Sequence, residues 1–508
     1  MLITVQGAKC VGIEAFKVRV EVNISNGIGI HLVGLADAAV KESLLRTITA
    51  LDSLGYHVPG RKIVINLAPA DIHKKGSGYD LPIALGILIG SGQVKAGDYD
   101  RYLIMGELGL DGSVRPVPGA LPMSELAALE GMTGCILPYD SALEAADARD
   151  ALIYGVRTLD DVVRIIGGEE DCSDMLVHNY GPAEEIGSEG LDFSEIVGQE
   201  AAKRGLEIAA AGGHNVALIG PPGSGKSSLA RAMAGILPPM SKEEALITSK
   251  IYSVAGKSGN SRGLIRRRPF RAPHISASTA ALLGGGSDSI LPGEISLAHN
   301  GVLFIDEFCE APKRLIETLR GPMEDRKVEI SRLKTKVVYP ASFTLVAASN
   351  PCPCGFYGEG DRCSCSPGRR EAYFSKLSGP IMDRIDIQLW IHGVDPALIV
   401  NRRATERSET IAERVVAARN IQRERFRDEG IFTNAEMNNR LIDIHCSLDR
   451  DCRDFLGKAM ERFSMSARAC TRILKIARTI ADLDGCDSIG LPHLSEALGY
   501  RILDRAMR

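Results

Sequence analysis

No stretch of this chain approaches about 18 uninterrupted apolar residues, the length a helix needs to cross a bilayer, so no membrane span is expected. The opening MLITVQGAKC lacks a charged segment followed by an apolar one; no export signal is expected, and the chain is placed in the cytoplasm. Internal repeats and low-complexity tracts are absent, and so is a surplus of positive charge: 60 Lys and Arg stand against 64 Asp and Glu, a formal net charge of -4. Global attraction to nucleic acid is thereby missing, and any such binding must use local basic surfaces or a pore. Twelve cysteines without an export signal argue for reduced thiols or metal ligands rather than a disulfide framework.

What is present is an ordinary globular composition, 45 % hydrophobic and 24 % charged over 508 residues, too long for one hydrophobic core. Residues 1–166 alternate strand-like runs (Lys17 to Ile24, Lys62 to Asn66, Gly134 to Pro138) with helical ones (Ala36 to Leu54, Leu81 to Gly90), which predicts a compact α/β unit. Residues 167–190 are acidic and Gly-rich without an apolar period, as a linker would be. From 191 to 392 buried strands alternate with Gly-rich turns and helices. From 393 to 508 the pattern is mostly helical, with apolar spacing at Ile473, Ile476, Ala477 and Ile480 that predicts a small helical lid.

The strand-like run Asn215 to Ile219 leads directly into Gly220, Pro221, Pro222, Gly223, Ser224, Gly225, Lys226, Ser227 and Ser228, then a helical sequence: a P-loop in its proper context. Glycines let backbone N–H groups turn toward phosphates, Lys226 reaches the β/γ oxygens of ATP, and the Ser227 hydroxyl ligates magnesium. Val302 to Ile305 is a second buried-strand run, ending in Asp306-Glu307. There Asp306 is expected to hold magnesium and Glu307 to polarise the attacking water. A third, Phe343 to Ala348, ends at Ser349-Asn350, whose amide is placed to orient that water.

This order of motifs resembles AAA+ ATPases, and Asn350 corresponds to their sensor 1. Asp383-Arg384-Ile385-Asp386 is similar to the segment that supplies an arginine finger to the neighbouring subunit, which assigns Arg384 a role in trans. Ser466-Ala467-Arg468 resembles the sensor 2 segment, implying Arg468 near the γ-phosphate, with Arg472 as the alternative. Asp192 to Gln199 resembles the segment beside adenine. A finger supplied in trans makes catalysis depend on assembly, so a closed ring, a homo-hexamer, is expected. Two basic segments, Arg262 to His274 with Arg266, Arg267, Arg268 and Arg271, and a predicted hairpin from Arg326 to Val338 with Arg332, Lys334 and Lys336, suit a nucleic-acid backbone. Pairing with acidic residues across subunits is the alternative.

RPFRAPH, PGEISLAHNGVLFIDE, ASNPCPCG and ARTIADLDG, with GLADAAVKES, NLAPADIHKKGSGYDLPIAL and GELGLDGSVRPVPGALP, resemble the magnesium-chelatase-like ComM/YifB family over nearly the full length. The resemblance implies a hexameric ATP-dependent DNA helicase, acting on single-stranded or branched DNA, that promotes branch migration during homologous recombination and natural transformation. The family's usual Pro-His-His-Thr is Pro273-His274-Ile275-Ser276 here, which leaves the role of that insertion open. The competing classes are a magnesium-chelatase-type motor and an ATP-dependent protease, because the N-terminal unit resembles the Lon protease domain. A Lon-like enzyme needs a serine activated by a lysine; matching the serine loop puts Gly78 at the nucleophile, and Met123 and Ser124 stand where the base should be. The unit is therefore expected to be a non-proteolytic DNA-binding or assembly module. Finally, Cys352, Cys354, Cys363 and Cys365 cluster after Asn350 in a segment poor in apolar residues. Four thiolates suit tetrahedral zinc, with reduced structural thiols as the alternative reading.

Overall fold

The computed structural model describes residues 1–501 apart from 35–37, 71–73, 75, 148–150, 169–170, 179–190, 259–262, 287–289, 333–334, 377–378 and 394–404; the side chains at 38–41, 332, 335 and 379–380 are also outside the description. Parts of GLADAAVKES and of the serine loop, Arg262, Lys334, the side chain of Arg332 and the second half of the expected linker fall outside the described residues.

The N-terminal unit is a seven-stranded sheet in the order Ile30–Val33, Lys62–Ala68, Glu14–Ser25, Leu2–Val11, Tyr102–Ile104, Gly134–Pro138, Leu152–Val156. Val18, Val20, Val22 and Ile24 alternate inward against outward Lys17, Arg19, Glu21 and Asn23, the two-residue period of a half-buried strand. Over that face lies the helix Asp80–Gly90, buried from Asp80 through Ile89, as expected of a helix apolar on all sides. Gly86 permits this packing, since a Cβ there would stand 2.5 Å from Val22 Cγ2. The expected linker begins later than 167: Cys172 and Val177 are buried in this unit's core, and Val177 N donates to Ile153 O at 2.8 Å. A short apolar pair was enough to hold the chain against the last strand, which a composition reading of an acidic segment misses.

The second sheet has five parallel strands, Phe270–Arg271, Val302–Ile305, Thr344–Ser349, Val216–Ile219 and Ile387–Trp390, in that order. Its central strands are buried at every position, the pattern of a parallel sheet covered on both faces. One face packs on Ile295, Phe308, Ile316 and Leu319. The other carries Leu206 and Ile208 of helix Glu200–Gly212 and, with them, Val415, Ile473, Ile476 and Ile480 of the C-terminal helices. The C-terminal helices, expected as a lid, thus share one apolar cluster with the sheet.

The C-terminal segment comprises the helices Ser408–Arg425, Asn439–His445, Arg450–Arg462, Ala467–Leu483 and Leu491–Gly499. Its polar centre is Asp482, fully buried, which accepts from Arg425 (2.5 and 2.8 Å), Arg478 (3.0 Å) and Asn434 Nδ2 (2.7 Å). The helix Lys242–Val254 joins the two sheets. At one end Glu244 holds Arg268 (3.0 Å) and Thr248 holds Asn300 (3.2 Å), just before the Val302 strand. At the other, Lys250 pairs with Glu125 and Glu14, Ser253 Oγ donates to Glu144 (2.5 Å), and Ser253 O accepts from Gly119 N (3.0 Å). Among the described residues no helix is long and apolar enough to cross a membrane.

Removing one partner of a buried, hydrogen-bonded ion network strands the others, at a cost of about 3–5 kcal/mol. Asp482→Ala is therefore expected to speed amide hydrogen exchange across 467–483 well before the N-terminal sheet opens; unchanged exchange in that helix would deny Asp482 this role.

Candidate nucleotide site

The strand Val216–Ile219 delivers the P-loop to the carboxyl edge of the parallel sheet, and the helix Lys226–Gly235 begins at the lysine. Gly223 (φ 76°) and Gly225 (φ 88°) occupy left-handed backbone that a side chain adopts only at a cost. A Cβ on Gly220 would stand 2.2 Å from Ile391 O. The loop therefore ends on a helix N-terminus, where unpaired N–H groups favour an anion. Lys226 Nζ donates to Gly220 O (2.7 Å) and Pro221 O (2.9 Å) and lies 3.4 Å from Asn350 Oδ1. Burial holds its pKa below the ordinary lysine value, with Asp306 acting in the opposite sense.

Strand order brings the other predicted residues to the same edge. The Asn350 strand lies between the P-loop strand and the Asp306 strand, with Ile219 beside Ser349 and Ile305 beside Ala347. Ser227 Oγ donates to Asp306 Oδ2 at 3.0 Å, and Asp306 Oδ1 accepts from Glu307 N at 2.9 Å. A hydroxyl and a carboxylate side by side are hard oxygen donors of the kind magnesium takes, mostly through its waters. Glu307 is exposed and has φ 49°, a conformation uncommon for a residue with a side chain and concentrated at functional sites.

The arginines lie elsewhere. Arg384 precedes the strand Ile387–Trp390, whose first residue pairs with Val216, and its carbonyl accepts from Asn215 Nδ2 (2.9 Å) at the head of the P-loop strand. Asn215 to Ile219 spans roughly 13 Å of extended chain, so Arg384 sits at the amino edge of the sheet, across from the P-loop. Its guanidinium is paired with Glu324 of the helix Lys313–Asp325. Arg468, 71 % exposed, is at the same edge, 3.1 Å from Asp383. Arg472 is mostly buried and donates to Ile385 O (3.1 Å), a support for the loop rather than a free cation. The structure thus unites Arg384 with Arg468, and separates both from their own chain's Lys226.

The segment Asp192 to Gln199 is fixed at both ends: Asp192 accepts from Ser194 N (2.8 Å) and Ser408 N (3.2 Å), and Gln199 Nε2 donates to His392 O (2.7 Å). Of the basic segments, Arg268 and Arg271 are engaged inside the chain, with Glu244 (3.0 Å) and Glu294 (2.6 Å). Acidic pairing is therefore correct for these two, but within a subunit rather than across subunits. Arg266 and Arg267 are exposed. His274 and Ser276 bond each other at 2.6 Å. The hairpin Lys327–Arg332 and Thr335–Pro340 forms as expected, with Lys336 paired to Glu329 (2.8 Å) and Arg326 to Glu436 (2.7 Å) of the C-terminal segment.

The four clustered cysteines converge: their sulfurs lie within 4.8 Å of one another, with Cys352 3.3 Å from Cys354 and 3.8 Å from Cys363. Sulfurs about 2.3 Å from a shared ion in tetrahedral array stand roughly 3.8 Å apart, so the set fits zinc. The Phe356 N–H holds the Cys354 thiol down to about 6, with help from the Cys352 thiol. This loop also walls the phosphate cradle, because a Cβ on Gly355 would be 2.8 Å from Pro222 Cδ. In the N-terminal unit, Ser77 is bonded to Glu107 and Lys74 to Pro69 O. A side chain at Gly78 would meet Met105 Cε and Val117 Cγ1 at 3.1 and 3.3 Å, an apolar setting. Sequence reasoning missed Asn215, Glu324 and the Glu244 and Glu294 clamps, whose partners are 23 to 169 residues distant or have no motif of their own.

Three family models match: magnesium chelatase, subunit ChlI, over 192–398; subunit ChlI of Mg-chelatase over 20–141; and magnesium chelatase, subunit ChlI C-terminal, over 405–501. The chain is 40 % identical over 498 residues to the YifB protein of Salmonella typhimurium, covering 98 % of this chain and 96 % of that one. Identity to YifB of Escherichia coli is 41 % over 500 residues, covering 98 % and 96 %. The competence protein ComM of Haemophilus influenzae is 41 % identical over 502 residues, covering 98 % and 97 %. Matched over almost its whole length, with its P-loop and Asp-Glu strand at one sheet edge, the chain belongs to the ComM/YifB family of magnesium-chelatase-like AAA+ proteins.

Proposed function

We propose that this AAA+ ATPase turns over MgATP as a closed ring, a homo-hexamer, in which each protomer lends Arg384 and Arg468 to its neighbour's phosphate cradle. The observation that carries the reading is the polarity of the parallel sheet: Lys226, Ser227, Asp306 and Asn350 gather at its carboxyl edge, Arg384 and Arg468 at the other. In one chain these sets cannot meet; around a ring they face each other.

Within that shared pocket, Lys226 leaves the carbonyls of Gly220 and Pro221 for the β/γ oxygens, and Ser227 and Asp306 hold the magnesium shell. The metal, when bound, neutralises charge on the phosphates. Glu307 takes the proton of the attacking water, Asn350 orients that water, and the neighbour's arginines stabilise charge on the transferring phosphoryl group. The N-terminal unit, Lon-like in its sequence, serves as an assembly or DNA-binding module, and the C-terminal helices act as the lid.

The load we assign is DNA, single-stranded or branched, moved in branch migration during homologous recombination and natural transformation. Support comes from the family, from the name of the Haemophilus relative as a competence protein, and from a hairpin that runs into the Asn350 strand through Ala341, Ser342 and Phe343. Exposed Arg266 is a contact left for phosphates once Arg268 and Arg271 are engaged. A chelatase-type motor is the second reading, favoured by the names of the matched family models. Zinc held by Cys352, Cys354, Cys363 and Cys365 gives the loop after Asn350 the fixed shape its sparse apolar content does not.

Glu307→Gln is expected to bind a fluorescent ATP analogue as the parent does while kcat falls at least about a hundredfold; an unchanged kcat assigns the base elsewhere. ATPase rates measured against linear, single-stranded and branched DNA at low salt should rise several-fold with the latter two, and a flat response with no mobility shift removes DNA as the load. Elemental analysis should find about one zinc per chain, lost in Cys354→Ser and Cys363→Ser; a metal-free parent protein leaves the thiols as structural only.

A further inference from the structure

The arginine finger is useful only if its guanidinium arrives where charge develops, so the backbone that presents it needs a fixed position. We infer that Asn215 is the positioning residue for Arg384, an inference that rests on the reading of Arg384 as a finger in trans. Asn215 is the residue immediately before the P-loop strand. Its side-chain Nδ2 donates to Arg384 O at 2.9 Å, and its Oδ1 accepts from Leu345 N at 2.8 Å, near the head of the Asn350 strand. Its own carbonyl accepts from Asp386 N and Ile387 N, both at 3.0 Å. One amide therefore ties together the strand that leads to Lys226, the strand that leads to Asn350, and the loop that carries the finger.

Both ends of the amide are used, which makes the residue type specific: Asp lacks the donor, and Gln carries it one methylene too far. The rest of the loop is secured around it. Ile385 O accepts from Arg472 (3.1 Å) and Arg501 (2.8 Å). Asp386 is held by His214 Nδ1 (3.3 Å), and His214 Nε2 lies 2.9 Å from Thr479 in the helix Ala467–Leu483, which carries Arg468 in its first turn. The Arg384 side chain pairs with Glu324, itself 65 % exposed, a partner that a phosphate can replace. Because the strands fixed by Asn215 end at the protomer's own nucleotide, a shift caused there reaches the finger offered to the next site. Asn215 thus couples occupancy of one pocket to hydrolysis in its neighbour.

The test is a double-mutant cycle on the full-length ring, with kcat, KM for MgATP and ring mass measured for Asn215→Ala, Asn215→Asp, Arg384→Ala and Asn215→Ala/Arg384→Ala. Arg384→Ala should lower kcat about a hundredfold or more. Asn215→Ala should lower it about tenfold or more with KM and ring mass unchanged, and should add nothing in the Arg384→Ala background. Asn215→Asp, which keeps the acceptor for Leu345 N, should be as slow as Asn215→Ala. A parental rate for Arg384→Ala overturns the finger reading itself. A defective Arg384→Ala beside a parental rate in either Asn215 variant overturns the positioning role alone. So does a raised KM, or a further loss in the double variant, since a residue supporting only its own P-loop would give those results. Should Asn215→Ala not fold, Asn215→Asp decides by the same criteria.

Discussion

A parallel sheet has two unlike edges, and everything in this molecule's chemistry follows from that polarity. Strand ends that carry Gly220, Asp306 and Asn350 lie together because all five strands run the same way; for the same reason the loop before Ile387 must open at the far edge. The loop that carries Arg384 cannot fold over its own chain's phosphates without reversing the strand Ile387–Trp390. Under the ring proposed above, the pocket is completed only between protomers, which ties hydrolysis to assembly. The close approach at Gly220 and the left-handed turns at Gly223 and Gly225 serve the same geometry, since they bring the helix N-terminus onto the line of the strand ends.

The site is held in a resting arrangement by its own groups. Lys226 spends its donors on two P-loop carbonyls and faces the Asn350 amide, and the Ser227 hydroxyl is given to Asp306. Each of these bonds is one that MgATP would exchange for a stronger, charge-assisted one. At the other edge Arg384 and Arg468 rest on Glu324 and Asp383. At both edges these polar groups are therefore paired within the subunit.

Much of the site was legible before the fold because its signals are local. The P-loop is a contiguous run whose backbone demands particular residues, and Val302 to Ile305 and the strand before Asn350 are short apolar runs with one polar residue at the end. Strand order was not legible: nothing within 344–349 says that it lies between strands more than a hundred residues and some forty residues earlier in the chain. Nor was the fate of the basic segments. Arg268 and Arg271 look alike to Arg266 and Arg267 in sequence, and only the placement of Glu244 and Glu294 separates structural clamps from exposed cations. Asn215 was invisible for a further reason, since a single amide preceding a strand has no period or spacing to betray it. The linker reading failed at Cys172 and Val177 because two apolar residues in an acidic stretch carry little weight until a sheet edge is present to receive them.

The helix Lys242–Val254 bears on how the two sheets move. Its first turns are anchored beside Asn300, two residues ahead of the Asp306 strand, and its last turns are locked into Gly119, Glu125 and Glu144 of the N-terminal unit, on and before the helices Ala120–Leu129 and Tyr139–Ala145. A rod fastened at both ends is a connecting rod: it passes displacement and permits little swivel. The strand that ends at Asp306 and the helices that cover the N-terminal sheet are thereby linked, so a displacement at one end of the rod is carried to the other.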